Sequence, residues 1–185
     1  MKVSGILLQL SSFLLFTEAA SATADSCCKS DIVSSAHHER ILNNYLAIWN
    51  GDLSLVKSVF HPDVVLFSDR FPSSTGNGSE ITGVTNRAEF ASFVTRSRTG
   101  WASYEFTTIR SVSSGYDIAV RWKMDGVLGK NFTLFPTPLK PGSHVTYNGT
   151  DFLVLDECTG QVREDYIAQD LISYFHAMGL DAITV

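Results

Sequence analysis

Cysteine is scarce, three residues in 185, and none stands at a spacing from histidine that builds a zinc site. Lysine and arginine form no block interleaved with aromatics, and a net charge of −5 with 18% charged residues argues against nucleic-acid binding. No glycine-rich phosphate loop, dinucleotide fingerprint or Ser/His/Asp order occurs, so neither nucleotide chemistry nor a hydrolase triad is indicated. Nothing in the pattern calls for a cofactor or a metal ion. Internal repeats and low-complexity tracts are missing too. A chain of 185 residues, 44% of them hydrophobic, suits one ordinary domain and is too short for two.

Long apolar runs are confined to the N-terminus. Lys2 precedes Ile6-Leu7-Leu8 through Phe13-Leu14-Leu15-Phe16, and small-residue sites follow at Ala20-Ser21-Ala22 and Ala22-Thr23-Ala24. This pattern predicts a secretory signal peptide over residues 1–24, cut after Ala20, Ala22 or Ala24. A mature N-terminal segment, 25–35, and a folded domain, 36–185, follow. The apolar run falls short of the ~20 residues a membrane span needs, and no later stretch qualifies. Sequons at Asn77, Asn131 and Asn148 agree with that route and predict a eukaryotic, secreted glycoprotein. In an oxidising compartment Cys158 is expected to pair with Cys28 or its neighbour Cys27, because adjacent cysteines close on each other only with strain.

Aromatics are plentiful, with twelve Phe and six Tyr, which suits a thick core or an apolar pocket. Ser34 or Ser35 can cap a helix running to Trp49, striped by Ile41, Tyr45, Ile48 and Trp49. Asp52 opens a second short helix that His61-Pro62-Asp63 stops, and Val64 to Phe67 reads as a buried strand. Thr85 or Asn86 caps a third helix, ended by Gly100. The period then becomes two. Ile118, Val120, Trp122 and Met124 alternate with charged or small residues, and His144 to Asp156 and Val162 to Ala168 supply further strands. Helices first, long antiparallel strands next and one short helix last predict an α+β cone: a curved sheet wrapped over the N-terminal helices. Apolar pockets commonly sit in the mouth of such a cone.

The closing stretch carries the candidate chemistry. At strand spacing Val162, Glu164, Tyr166 and Ala168 share one face, with Asp170 following at the strand's end. Acids avoid packed faces, so that face is either wet or lines a cavity where a carboxylate acts. Asp170 is equally well placed to cap the last helix. His144 shares the parity of Asn148, which points it away from an interior if Asn148 carries a glycan.

Several phrases, in order, give the chain a family likeness. They are Ile48-Trp49-Asn50-Gly51-Asp52 with Val59-Phe60-His61-Pro62-Asp63, Asp117-Ile118-Ala119-Val120-Arg121-Trp122, Pro141-Gly142, and Gly160-Gln161-Val162-Arg163-Glu164-Asp165-Tyr166 with Asp170. The chain resembles the SnoaL-like polyketide cyclases, within the nuclear-transport-factor-2-like and ketosteroid-isomerase-like fold, over roughly residues 36–180. That resemblance implies a cofactor-independent cyclase, isomerase or dehydratase acting on a hydrophobic polyketide- or terpenoid-like molecule, here in fungal secondary metabolism. It places the general acid/base on Asp170, with Asp165, Glu164 and His144 as further candidates. Tyr45, Trp49, Trp122 and Tyr166 are the candidate substrate contacts, and a homodimer is left open. Asp165 stands where the family commonly has His, Tyr166 where it has Trp, and Ser143-His144 where it has Arg. The other reading, from a different class, is a non-catalytic secreted protein that binds a small ligand or a host or cell surface. A deep position for Asp170 favours the enzyme, and a surface position favours the binder.

Overall fold

The computed structural model describes residues 31–69, 71–72, 79–80 and 83–180. The expected signal peptide, Cys27, Cys28 and Asn77 lie outside the described residues. Helix α1 (Ser35–Trp49) starts where the Ser34 side chain accepts the His37 N–H, and it buries Ile41, Leu42, Tyr45, Leu46, Ile48 and Trp49 on one stripe. A 3-10 turn (Leu53–Leu55) and α2 (Val56–Val59) follow, capped by Asp52. Strand β1 (Phe60–Ser68) is longer than the Val64–Phe67 run: it takes in His61-Pro62-Asp63 through an irregularity between Phe60 and Val65. Proline cannot donate to a ladder, so that break falls where pairing is already interrupted.

The short strands β2 (Phe71–Pro72) and β3 (Ser79–Glu80) pair with each other, and α3 (Arg87–Ser97) follows under the Asn86 cap. Four long strands come next: β4 (Trp101–Ser114), β5 (Asp117–Leu128), β6 (His144–Leu155) and β7 (Val162–Gln169). Helix α4 (Leu171–Ala177) is the last described element. The main sheet has the order β1-β7-β6-β5-β4, antiparallel throughout except for the parallel β1–β7 pair. This is the curved α+β architecture that the element order predicts.

Bulges set the curvature. On β4 the register slips at Ala102 and Ile109, and on β7 at Arg163, where Val162 and Glu164 face the adjacent residues Leu155 and Val154. Each extra residue bends its strand and resets which side chains point inward. The helices pack on one face only, and the core lies between them and the sheet.

Polar clamps fix α1 against that sheet. Asn50, at the end of α1, donates from Nδ2 to the Phe106 carbonyl (3.1 Å) and accepts the Phe106 N–H at Oδ1 (2.6 Å). Arg98 donates from Nη1 to the carbonyls of Trp49 and Tyr104, both at 2.6 Å. Gly51 reverses the chain directly after Asn50 with φ +110°, a conformation other residues rarely adopt. The position of Tyr45 over the strands is therefore held from the C-terminal end of its helix.

Candidate functional site

The apolar alternation of β6 runs Val145, Tyr147, Gly149, Asp151, Leu153, Leu155. Asp151 therefore points into the core, and only 2% of it is exposed. On β7 the Arg163 bulge rephases the strand, so Asp165 and Ile167 face inward while Glu164, Tyr166 and Ala168 turn outward. Asp165 is fully buried. Two carboxyl groups from neighbouring strands thus meet under α1.

Tyr45 joins them. Its hydroxyl lies 2.6 Å from Asp151 Oδ2 and 2.9 Å from Asp165 Oδ2. A phenol has one hydrogen and can donate to only one carboxyl. The second hydrogen bond needs a proton on the other carboxyl, donated back to the phenol oxygen. A proton on one carboxyl would satisfy both contacts at once.

Electrostatics agree with this count. Burial, uncompensated by a cation, pushes Asp151 up to about 7, with the Tyr45 hydrogen bond pulling partly the other way. Burial and then the charge of Asp151 push Asp165 well above the carboxylate range. Burial likewise raises Tyr45 well above the ordinary phenol value, with both aspartates adding to the effect. Among the described residues no Lys, Arg or His forms an ion pair with either carboxyl. Both carboxyls are therefore displaced toward the neutral form, and they titrate as a coupled pair around the Tyr45 hydroxyl.

Trp122 and Trp49 complete the surroundings. The Trp122 indole tempers Asp151, and the Trp49 indole tempers Tyr45, by proximity. Both act as nearby N–H donors, although neither Nε1–H reaches full hydrogen-bonding geometry with a protein partner. Asp151 Oδ1 and Asp165 Oδ1 are also without protein partners. Two indole donors and two carboxyl oxygens in and beside the trio are thus buried without a protein partner. An unpaired buried polar group costs about 1–3 kcal/mol, so such a cluster is kept where a fold has a use for it.

Trp122 gets its place from a glycine. It pairs across the ladder with Gly149, where a Cβ would lie 2.1 Å from the indole. Further out, Trp122 packs edge-on to Tyr147 (5.5 Å between centroids), and Tyr147 packs against Tyr174 of α4 (4.4 Å). Phe135 packs in turn on Tyr174 and Phe175, and Thr137 Oγ1 donates to the Met178 carbonyl (2.6 Å). The loop around Phe135 and α4 together close this end of the interior.

Of the residues singled out in the sequence, the structure gathers Asp165, Tyr45, Trp49 and Trp122 at one place. Asp170 sits elsewhere, partly exposed, as the N-cap of α4. Its carboxylate accepts from Ser173 N (3.0 Å) and Ser173 Oγ (2.8 Å), which lowers its pKa. Tyr166 is 41% exposed, stacks on Phe67 (4.5 Å) and donates to Glu164 (2.7 Å) on the outer face. That is the wet alternative for the face, and the bulge separates it from Val162. His144 is exposed and shares the outer face with Asn148. Asn131 is exposed after β5, and Cys158 is exposed in the β6–β7 hairpin. Asp151 escaped the sequence reading. Its signal was a single acid at a buried position of an otherwise apolar alternation.

Among the described residues no group of three or more His, Cys, Asp and Glu is placed to hold a metal ion. No described helix is long and apolar enough to cross a membrane. The SnoaL-like domain model matches residues 42–164. No curated protein matches the chain at a significant level. Solved structures do. IdmH, a proposed polyketide cyclase from Streptomyces antibioticus, is 16% identical, with a TM-score of 0.60 over 77% of this chain and 99% of its own. AclR, a proposed hydroxylase from Streptomyces galilaeus, is 16% identical, with a TM-score of 0.61 over 82% of this chain and 87% of its own. A proposed SnoaL-like polyketide cyclase from Jannaschia sp. CCS1 is 14% identical, with a TM-score of 0.61 over 83% of this chain and 98% of its own. At these identities the likeness is one of fold.

Proposed function

The chain belongs to the SnoaL-like domain family, and on that premise we propose that it is a secreted acid/base enzyme of the cyclase, isomerase or dehydratase type. Its substrate in this reading is a hydrophobic polyketide- or terpenoid-like molecule bearing a carbonyl group. The supporting observation is the buried Asp151–Tyr45–Asp165 trio, two carboxyls on one phenol without a counter-ion.

A general base works best when its pKa lies near the operating pH, and Asp151, held at about 7, meets that condition. Asp151 takes a proton from the carbon beside the substrate carbonyl and returns it at another position. The Trp49 and Trp122 N–H groups donate to the carbonyl oxygen as it gains negative charge. Asp165 stays protonated and steadies Tyr45, so a single proton moves in each direction. The trio is buried, so substrate enters by displacement of the cover formed by α4 and the loop around Phe135.

The test needs no knowledge of the natural substrate. Purified protein is incubated in D2O with enolisable cyclic ketones and β-diketones, and C–H exchange is followed by NMR. Wild type is expected to catalyse exchange. Asp151→Asn should lose it by about a hundredfold or more, and Asp170→Asn should keep it. Exchange that survives in Asp151→Asn and falls in Asp170→Asn returns the acid/base role to Asp170.

The surface position of Asp170 is what favours the second reading, a non-catalytic secreted binder. Ligand binding by wild type, with no exchange by any variant, selects it. Both readings share the proposed secretory route: a cleaved signal peptide over 1–24, glycans on the sequons and a disulfide to Cys158.

A further inference from the structure

A second polar pair faces the interior and takes no part in the proton transfer of the trio. Inward positions alternate along β7 as Asp165, Ile167 and Gln169, and the first two are buried. Gln169 is half-buried at the end of the strand, and its backbone is held on both sides. Its N–H donates to Asp69 Oδ2 (2.6 Å), and the next N–H, of Asp170, donates to the Asn148 carbonyl (3.0 Å). The side chain meets Tyr147 of β6, whose hydroxyl donates to Gln169 Oε1 (3.0 Å). Burial first, and then the neighbouring phenols of Tyr104 and Tyr174, hold Tyr147 well above the ordinary phenol value, so it keeps its proton.

That one hydrogen bond fixes what each group has left to offer. Tyr147 has given its hydrogen to Gln169, and its oxygen remains an acceptor. The Gln169 amide has engaged its oxygen, and Nε2 keeps two hydrogens for which the described residues supply no acceptor. A free donor and a free acceptor side by side complement a hydroxyl group, which gives one hydrogen bond and takes another. A ketone or an ether can use only the donor. The surroundings sharpen the distinction, because rings in contact run from Tyr147 through Tyr174, Phe135, Phe132 and Trp101 to Tyr104. A polar group left unmatched among aromatic rings carries its full desolvation penalty.

The pair also stands at a defined separation from Asp151. Gly149 pairs with Gln169 and Asp151 with Ile167, so Gln169 and Asp151 are diagonal neighbours on adjacent strands. Such neighbours are about 7–8 Å apart. The Trp122 indole, seated over Gly149, adjoins both positions. We propose that Gln169 and Tyr147 form a hydroxyl-recognising anchor, which selects substrates bearing a hydroxyl group on the order of 7–8 Å from the carbon that Asp151 deprotonates. The anchor rests on the acid/base reading for the position of the reacting carbon, and it adds the residues that choose among ketones.

The test uses 2-tetralone, 6-hydroxy-2-tetralone and 6-methoxy-2-tetralone, which share an enolisable ketone and differ only at the far end. Calorimetry gives dissociation constants, and C–H exchange in D2O gives kcat and KM. Wild type should bind the hydroxy ketone about tenfold more tightly than 2-tetralone, and the methoxy ketone no better than 2-tetralone. In Gln169→Leu and in Tyr147→Phe that preference should fall to about twofold or less, with circular dichroism checking the fold. The preference is a ratio within each variant, so a general loss of affinity does not imitate it, and the wild-type ratio decides even where a variant fails to fold. A hydroxyl preference in binding without exchange of any ketone supports the anchor and removes the acid/base role of Asp151. Exchange without a preference keeps that role and overturns the anchor. Failure of wild type to bind any of the three ketones overturns it too, as does a preference that survives in both variants.

Discussion

Asp151 and Asp165 both prefer the neutral form inside this fold, and that has a definite sign in pH. A carboxyl whose folded pKa is raised stabilises the protein fully below its unfolded value near 4. The contribution is lost as pH climbs through the folded value, about 7 for Asp151 and higher for Asp165. Asp156, Asp170 and Glu89 have lowered pKa values and act oppositely below pH 4, so a comparison between variants isolates the pair. Melting of wild type and Asp151→Asn from pH 4.5 to 7.5 should show the variant gaining relative to wild type as pH rises, by a few kcal/mol at most. A difference independent of pH removes the raised pKa from the account. Asp165 was open to a sequence reading as an unusual acid in the terminal strand. Asp151 was less so, because one acid in an apolar alternation does not announce a partner on another strand. What makes the two a site is a phenol on α1, more than a hundred residues away in sequence.

At the level of elements, regular periodicity was readable and its interruptions were not. The alternation of Ile118, Val120, Trp122 and Met124 predicts the buried face of β5. Ser34 or Ser35, Asp52, and Thr85 or Asn86 predict the helix starts, and Ser34, Asp52 and Asn86 are the caps found. The bulge at Arg163 has no local signature: a charged residue in a strand is ordinary, and only pairing with β6 shows it to be the extra one. That single residue decides that Asp165 and not Glu164 enters the core. Gly149 is a related case, since a glycine in a strand marks a close approach without saying by what. Here it is the Trp122 ring. Gly149→Ala forces the indole off its seat. The expected cost is about 1–3 kcal/mol of stability, with a shifted tryptophan emission. An unshifted spectrum with full stability would mean that the ring has another resting place.

For the whole molecule, the order of helices and strands was enough to predict the cone, because each element can bury its apolar side in few other ways. The proposed tie to the N-terminus is a separate matter. Cys158 is exposed in the β6–β7 hairpin, and Gly160 of that hairpin accepts a hydrogen bond from His37 Nε2 (2.8 Å), close to the start of α1. We propose that Cys27 or Cys28, a few residues before that start in the sequence, bridges to Cys158. Closing a loop on the order of a hundred residues stabilises a fold by about 4–5 kcal/mol when the native geometry is unstrained. On that proposal, mass mapping of protein produced through a secretory host, without reductant, should recover a peptide holding Cys27 and Cys28 linked to one holding Cys158. Cys158→Ser should lower stability by about 2–4 kcal/mol, and reductant should bring wild type down to the level of that variant. Single replacements of Cys27 and Cys28 then identify the partner, since only one should reproduce the loss. Three reduced thiols in material from a secreting host, with a melting temperature indifferent to reductant, would remove the bridge from the account.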